Sequence, residues 1–185
     1  MPDGAVMTHD DVVRALEAGQ PLALAPAERV IAITWTRSPA PDDWLVDEED
    51  ETSLAEHRAA HADGRPSEAV VRYGAGTDPG AVADRLLGLA ALSGESDRLQ
   101  AVCPVPGEGD ETRPGSWGVE DLTMIALARR LMPGVPWIRP CWRLLGPAAC
   151  QVAVGFGAND WRLPVDDPND PDHLAQAIAC RAVAR

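Results

Sequence analysis

Arg72 and Tyr73, the Cys103-Pro104 pair, Trp142 and Arg143, and Asn159 and Asp160 are the residues of this chain whose types and positions offer chemistry. If the strands that carry them run parallel, all four places are expected on one rim, where the carboxyl ends of strands present ligand-binding loops. There an indole at 142 stacks on a flat ring and a guanidinium at 143 or 72 pairs with a carboxylate or phosphate through two parallel hydrogen bonds. Asn159 and Asp160 orient hydroxyls or take up a proton. The competing structural reading packs Trp142 in the core, pairs Arg143 with a nearby acid and lets Asn159-Asp160 cap a turn.

Other groups invite weaker readings. His57 and His61 lie four residues apart on an expected helix, a spacing that grips zinc from one face. Arg58 stands where a zincin would carry its catalytic Glu, so helix packing and surface exposure are the expected fate of the pair. His9 and His173 sit beside Asp residues near the chain ends and are expected to cap or titrate locally. Gly74-Ala75-Gly76 follows a strand and precedes a helix opened by Pro79, an arrangement that can hold a phosphate on free amides but lacks a third glycine. Cys103, Cys141, Cys150 and Cys180 are far apart in sequence, so no local metal loop is expected and they read as reduced core thiols. A Gly-x-Ser-x-Gly elbow is absent.

Composition narrows the function classes. The 185 residues carry a formal charge of −13, with 45% hydrophobic and 24% charged residues, as expected of one globular domain. So acidic a chain is not expected to bind nucleic acid or an anionic membrane. Every basic side chain apart from His is Arg, which excludes a Schiff-base lysine, a Walker-type lysine and a lysine general base. No apolar run reaches the roughly 20 residues of a membrane helix, and the N-terminus lacks the basic and apolar regions of a secretory signal. A cytoplasmic location follows as the expectation. The acidic stretches Asp42 to Glu51, Glu108 to Glu111 and Asp166 to Asp172 read as solvated loops.

The elements that must position these residues form a regular series. Thr8 to Ala18 predicts an amphipathic helix with a Thr cap, and Arg29 to Trp35 predicts a strand followed by a long acidic loop to Glu51. Beyond it, helices are expected at 52–63, 79–92, 118–132, 147–156 and 171–183, and strands at 68–73, 99–104, 137–143 and 158–163. The alternation predicts a single α/β domain over 1–185, in which 1–51 supply a helix, a strand and an acidic loop and 52–185 supply regular β/α units. A partial (β/α) barrel and an open parallel sheet with flanking helices both fit.

Trp142-Arg143-Leu144-Leu145-Gly146 followed by Gly157-Ala158-Asn159-Asp160 resembles the C-terminal part of a radical S-adenosylmethionine family. Its members are the futalosine-pathway enzymes of menaquinone synthesis, aminofutalosine synthase and dehypoxanthine futalosine cyclase, together with deazaflavin synthase. LAEHRAAHADG, EAVVRYGAG and GVEDLTMIALARRLMPGVPWI precede those motifs in matching order, so the resemblance covers roughly Leu54 to Asp160. The chain departs at Val71, Arg72 and Tyr73, where the family shows Met and Phe, and at Trp161-Arg162-Leu163-Pro164, where it shows a Gly-rich turn. The family holds a four-iron cluster on a C-x-x-x-C-x-x-C run that this sequence does not contain. The resemblance therefore implies a cluster-less relative for which no cofactor is expected. It implies a non-catalytic binding or partner subunit that takes a small-molecule ligand and pairs with another copy or with a full-length radical relative. The alternative is a non-radical enzyme acting on a nucleoside-like or aromatic acid substrate at the rim. A half-barrel is further expected to leave sheet edges unpaired and an apolar inner face exposed, which favours such pairing.

Overall fold

A computed structural model describes residues 6–26, 28–38, 52–107, 109 and 115–184. The acidic stretch from Asp42 to Glu51, and that from Glu108 to Glu111 apart from Gly109, lie outside the described residues.

Local signals fix the helices. Helix α1 (His9–Ala18) opens on a reciprocal capping box between Thr8 and Asp11 and closes on Gly19 in the left-handed conformation. Helix α2 (Leu54–Ala62) has the same box between Ser53 and Glu56. In α3 (Pro79–Glu95) the Asp78 side chain accepts from the Ala81 amide, and Val82, Leu86, Leu89 and Leu92 form one buried stripe. Helix α4 (Gly118–Leu131) buries Met124, Ile125, Leu127 and Ala128.

The strands form two parallel three-stranded sheets. One has the order β2 (Ser67–Tyr73), β3 (Leu99–Pro106), β4 (Trp137–Ile138), and the other the order β5 (Asp160–Pro164), β1 (Ala32–Ser38), β6 (Arg181–Ala184). This is an open α/β fold with flanking helices, of the class that the alternation predicts. Ala69, Val71, Tyr73, Val102 and Ile138 pack under the first sheet against α3 and α4, while Ile33, Trp161 and Leu163 form a second core with Trp142, Cys150 and Ala175.

Two expected elements differ. The strand expected at 137–143 ends at Ile138, because Pro140 has no amide to donate and Cys141 caps the next helix, α5 (Trp142–Val154). Trp142 and Arg143 therefore open a helix and do not end a strand. Within α5, Gly146 has φ +75° and breaks the helix just before Pro147, a conformation that glycine alone adopts at no steric cost. The helix expected at 171–183 stops as α6 (Pro171–Ala177). Ala179 takes φ +56°, the Cys180 amide returns to the Ala175 carbonyl, and Arg181–Ala184 pair with β1 as β6.

Asn159 bonds to strands of both sheets. The Asn159 side chain accepts from the Ile138 amide at 2.9 Å and from Arg129 at 3.0 Å and donates to the Pro136 carbonyl at 2.8 Å. Its backbone amide donates to the Ile138 carbonyl, and its own carbonyl accepts from the Thr34 amide. Asn159 thus supplies the link that β4 and β5 do not form as a ladder. Asn159→Ala should cost about 1–3 kcal/mol, the usual penalty for a buried polar group left unpaired, read from the midpoint of urea unfolding.

Candidate functional site

Strand alternation sets the chemistry on the face away from the helices. Register pairs Glu68 with Ala101, Val70 with Cys103 and Arg72 with Val105, and it pairs Thr34 with Asp160 and Thr36 with Arg162. On this inner face Arg139, which is wholly buried, holds together strands of both sheets. Its Nε donates to Asp160 at 2.5 Å, and its two terminal nitrogens donate to the Glu68 carboxylate at 2.7 and 3.1 Å. Arg162 reaches the same Glu68 at 3.0 Å, and the Thr34 hydroxyl donates to Asp160 at 2.5 Å. Burial works against the Arg139 charge, but Cys103 and the two carboxylates outweigh it and hold its pKa above the ordinary arginine value.

This arrangement reassigns most of the residues expected on the rim. Asp160 is the first residue of β5 and is fully buried against Arg139, so it lies at the amino end of its strand. Asn159 precedes it and is spent on joining the sheets. Together with Gly157 and Ala158 they form one structural seam. Gly157 has φ +107° and faces the Arg129 side chain so closely that a Cβ would meet Arg129 Cγ at 2.6 Å, and Ala158 is buried in the first core.

Trp142 is also structural. It packs on Trp161 with ring centroids 5.6 Å apart and donates its indole N–H to Asp167 at 2.8 Å, as the core reading has it. Arg143 is exposed on the first turn of α5. Tyr73 does stand at the carboxyl end of β2, but its ring faces the helices and its hydroxyl donates to the buried Asp121 at 2.6 Å. Burial, and then the Asp121 charge, push the phenol pKa well above its ordinary value. Arg72 shares the inner face with Glu68, nearer the carboxyl ends of the strands.

The inner face is not an exposed apolar surface. Ala101, Cys103 and Val105 are at most 2% exposed, and an Arg139 nitrogen lies 3.7 Å from the Cys103 sulfur. Beside them stand Glu68 of β2, Arg139 just after β4 and Arg162 of β5. The expected exposure of an apolar half-barrel lumen is thereby corrected, because charged side chains saturating one another occupy that layer.

His57 and His61 join in a chain of hydrogen bonds. The Ser67 hydroxyl sits 2.9 Å from His57 Nδ1 and 2.9 Å from His61 Nε2, and Ser96 Oγ sits 2.8 Å from His61 Nδ1. His57 spends Nδ1 on Ser67 and His61 spends both ring nitrogens, on Ser67 and Ser96, so the pair fastens α2 to β2 and to the end of α3. Burial, then the charge of Arg85, lowers the His57 pKa to about 4. The sequence placed both histidines on one helix; Ser67 and Ser96 as their partners lay beyond it, as did Arg139, because the contacts are long-range.

The four cysteines lie on separate stretches of the chain. Cys103 lies on β3, Cys141 and Cys150 at the start and middle of α5, and Cys180 before β6. Burial pushes Cys103 up to about 11 and raises the other three as well, so all four favour the thiol over the thiolate that binds iron. Among the described residues, no group of three or more His, Cys, Asp or Glu is placed to hold a metal. Among them, too, no helix is long and apolar enough to cross a membrane.

No family model matches the chain. Over 109 residues it is 31% identical to a 5-amino-6-(D-ribitylamino)uracil–L-tyrosine 4-hydroxyphenyl transferase from Archaeoglobus fulgidus. The match takes in 56% of this chain and 32% of the transferase, so the chain spans about a third of the length of this curated relative.

Two measurements test the site as described. Asp160→Ala should lower unfolding free energy by ~3–5 kcal/mol, because it strands a buried guanidinium, whereas Arg143→Ala should change it by less than about 1 kcal/mol. The unfolded chain protonates His57 near 6.5 and the folded chain only near 4. Stability is therefore expected to fall as pH drops through that window, by up to ~3 kcal/mol, and His57→Gln should flatten the profile measured by chemical unfolding.

Proposed function

We propose that this chain is a relative of the futalosine-pathway and deazaflavin radical enzymes that keeps part of their scaffold and serves as a non-catalytic binding or partner subunit. The observation that carries the reading is the self-saturation of the polar layer around Arg139. Asp160, Glu68, Arg162 and Asn159 are the residues that a reaction on this scaffold would draw on, and each is tied to another part of the protein. Freeing Asp160 for a substrate would break its buried ion pair with Arg139, which is strongly destabilising.

Two further observations support it. The scattered, protonated cysteines do not suit a shared cluster, and the partial likeness is to a 4-hydroxyphenyl transferase named for 5-amino-6-(D-ribitylamino)uracil and L-tyrosine. On this reading the ligand is a small molecule held at the carboxyl ends of the strands, and the partner is a second copy or a full-length, cluster-bearing relative. The non-radical enzyme, with Asp160 as an acid or base at the rim, finds no support in a carboxylate buried against Arg139 at the opposite end of its strand.

Anaerobic iron–sulfur reconstitution, followed by an iron count and sedimentation analysis with and without a full-length relative, tests the proposal. Expected are an isolated chain without a stable cluster and a new, heavier species or a self-associated one. A stable four-iron cluster on the isolated chain, or a strict monomer indifferent to the relative, would overturn it.

A further inference from the structure

A cavity of about 490 Å³ opens at the carboxyl end of β2, between the last turn of α1 and the first turns of α3 and α4. Leu16, Val82 and Val119 supply apolar walls, and Trp117 stands at its edge. Trp117 is 63% exposed and Val119 51%, so both present apolar surface to solvent.

The charges around this space are all of one sign. Glu17 and Glu120 line it, and among the described residues no Arg or His does. Two features that would favour an anion are already neutralised. The start of α3 is capped by Asp78, and Glu120 accepts from the Trp117 amide at the start of α4. The C-terminal end of α1, closing at Gly19, adds the negative end of a helix dipole. The other polar side chains at the cavity are spent within the protein, since the Tyr73 hydroxyl donates to Asp121 and the Thr77 hydroxyl to the Gly74 carbonyl. What remains for a ligand is an accessible indole, two carboxylates and apolar walls.

We infer that this cavity binds an organic cation, an ammonium group carried on a compact apolar body, with Trp117 supplying the aromatic face and Glu17 and Glu120 the countercharge. A quaternary or protonated amine over an indole gains from the ring quadrupole, and the effect grows as the cation leaves water. The carboxylates, in a chain of net charge −13, exclude anions of the same size. The site lies where parallel α/β folds bind their ligands, beyond the carboxyl ends of strands. The inference stands on the cavity alone and does not depend on the relation to the transferase.

Choline and its neutral isostere 3,3-dimethylbutan-1-ol make the discriminating pair, titrated into the full chain while the Trp117 indole N–H is followed by nuclear magnetic resonance. Choline should give a saturable shift of that signal, and the neutral alcohol should bind about tenfold more weakly or worse. Trp117→Ala should abolish choline binding measured by calorimetry. Trp117→Phe should retain part of it, which guards against loss through misfolding. Glu17→Gln with Glu120→Gln, which keeps an acceptor for the Trp117 amide, should weaken choline and leave the alcohol unchanged. Absence of a saturable shift, equal binding of the two probes, or choline binding that survives Trp117→Ala would each overturn the inference.

Discussion

A fully buried guanidinium must find acceptors, and in this protein that requirement ties the sheets together. Arg139 follows directly on the two-residue strand β4, and its acceptors lie on β5 in one sheet and on β2 in the other. Sliding β5 by one residue would turn Asp160 toward the helices and leave the cation unpaired, at a cost larger than many packing defects. The pair need not add net stability over an apolar replacement. What it supplies is a single register for two short sheets whose own ladder does not extend from β4 to β5.

The Gly157-Ala158-Asn159-Asp160 run makes sense within that constraint. The glycine takes the positive φ and the close approach to Arg129, and the alanine fits a filled core position. The asparagine satisfies strand β4 from the side, and the aspartate meets Arg139. A motif whose composition suggests ribose binding or acid/base chemistry is here a joint between sheets. Trp142 adds a second joint, pinned between Trp161 and Asp167. These residues hold the scaffold in shape.

Separation of scaffold from site is visible along the strands. Charge-paired side chains surround the buried Arg139 on the inner layer, whereas the carboxyl end of β2 opens into a cavity with an exposed indole. The His57–Ser67–His61–Ser96 chain belongs to the scaffold as well, anchoring α2 to β2.

The sequence by itself determined the helices and the fold class. Thr8 with Asp11, Ser53 with Glu56, and Asp78 with Ala81 mark helix starts through bonds within three residues, and the alternation of apolar strands with helices leaves a parallel sheet as the economical solution. Those signals are local, and local physics suffices to read them. Where signals were local but ambiguous, the reading failed. The alanine-rich Cys180-Arg181-Ala182-Val183-Ala184 run suits a helix until Ala179 breaks it and β1 offers an edge to pair with. The roles of Asn159, Asp160 and Tyr73 were decided only by tertiary structure. Asp160 meets a partner 21 residues away, Arg139 meets Glu68 across 71 residues, and Tyr73 meets Asp121 across 48. A polar residue next to a strand serves a ligand or a buried counter-charge according to what the fold brings opposite it, and no spacing within the chain encodes that choice.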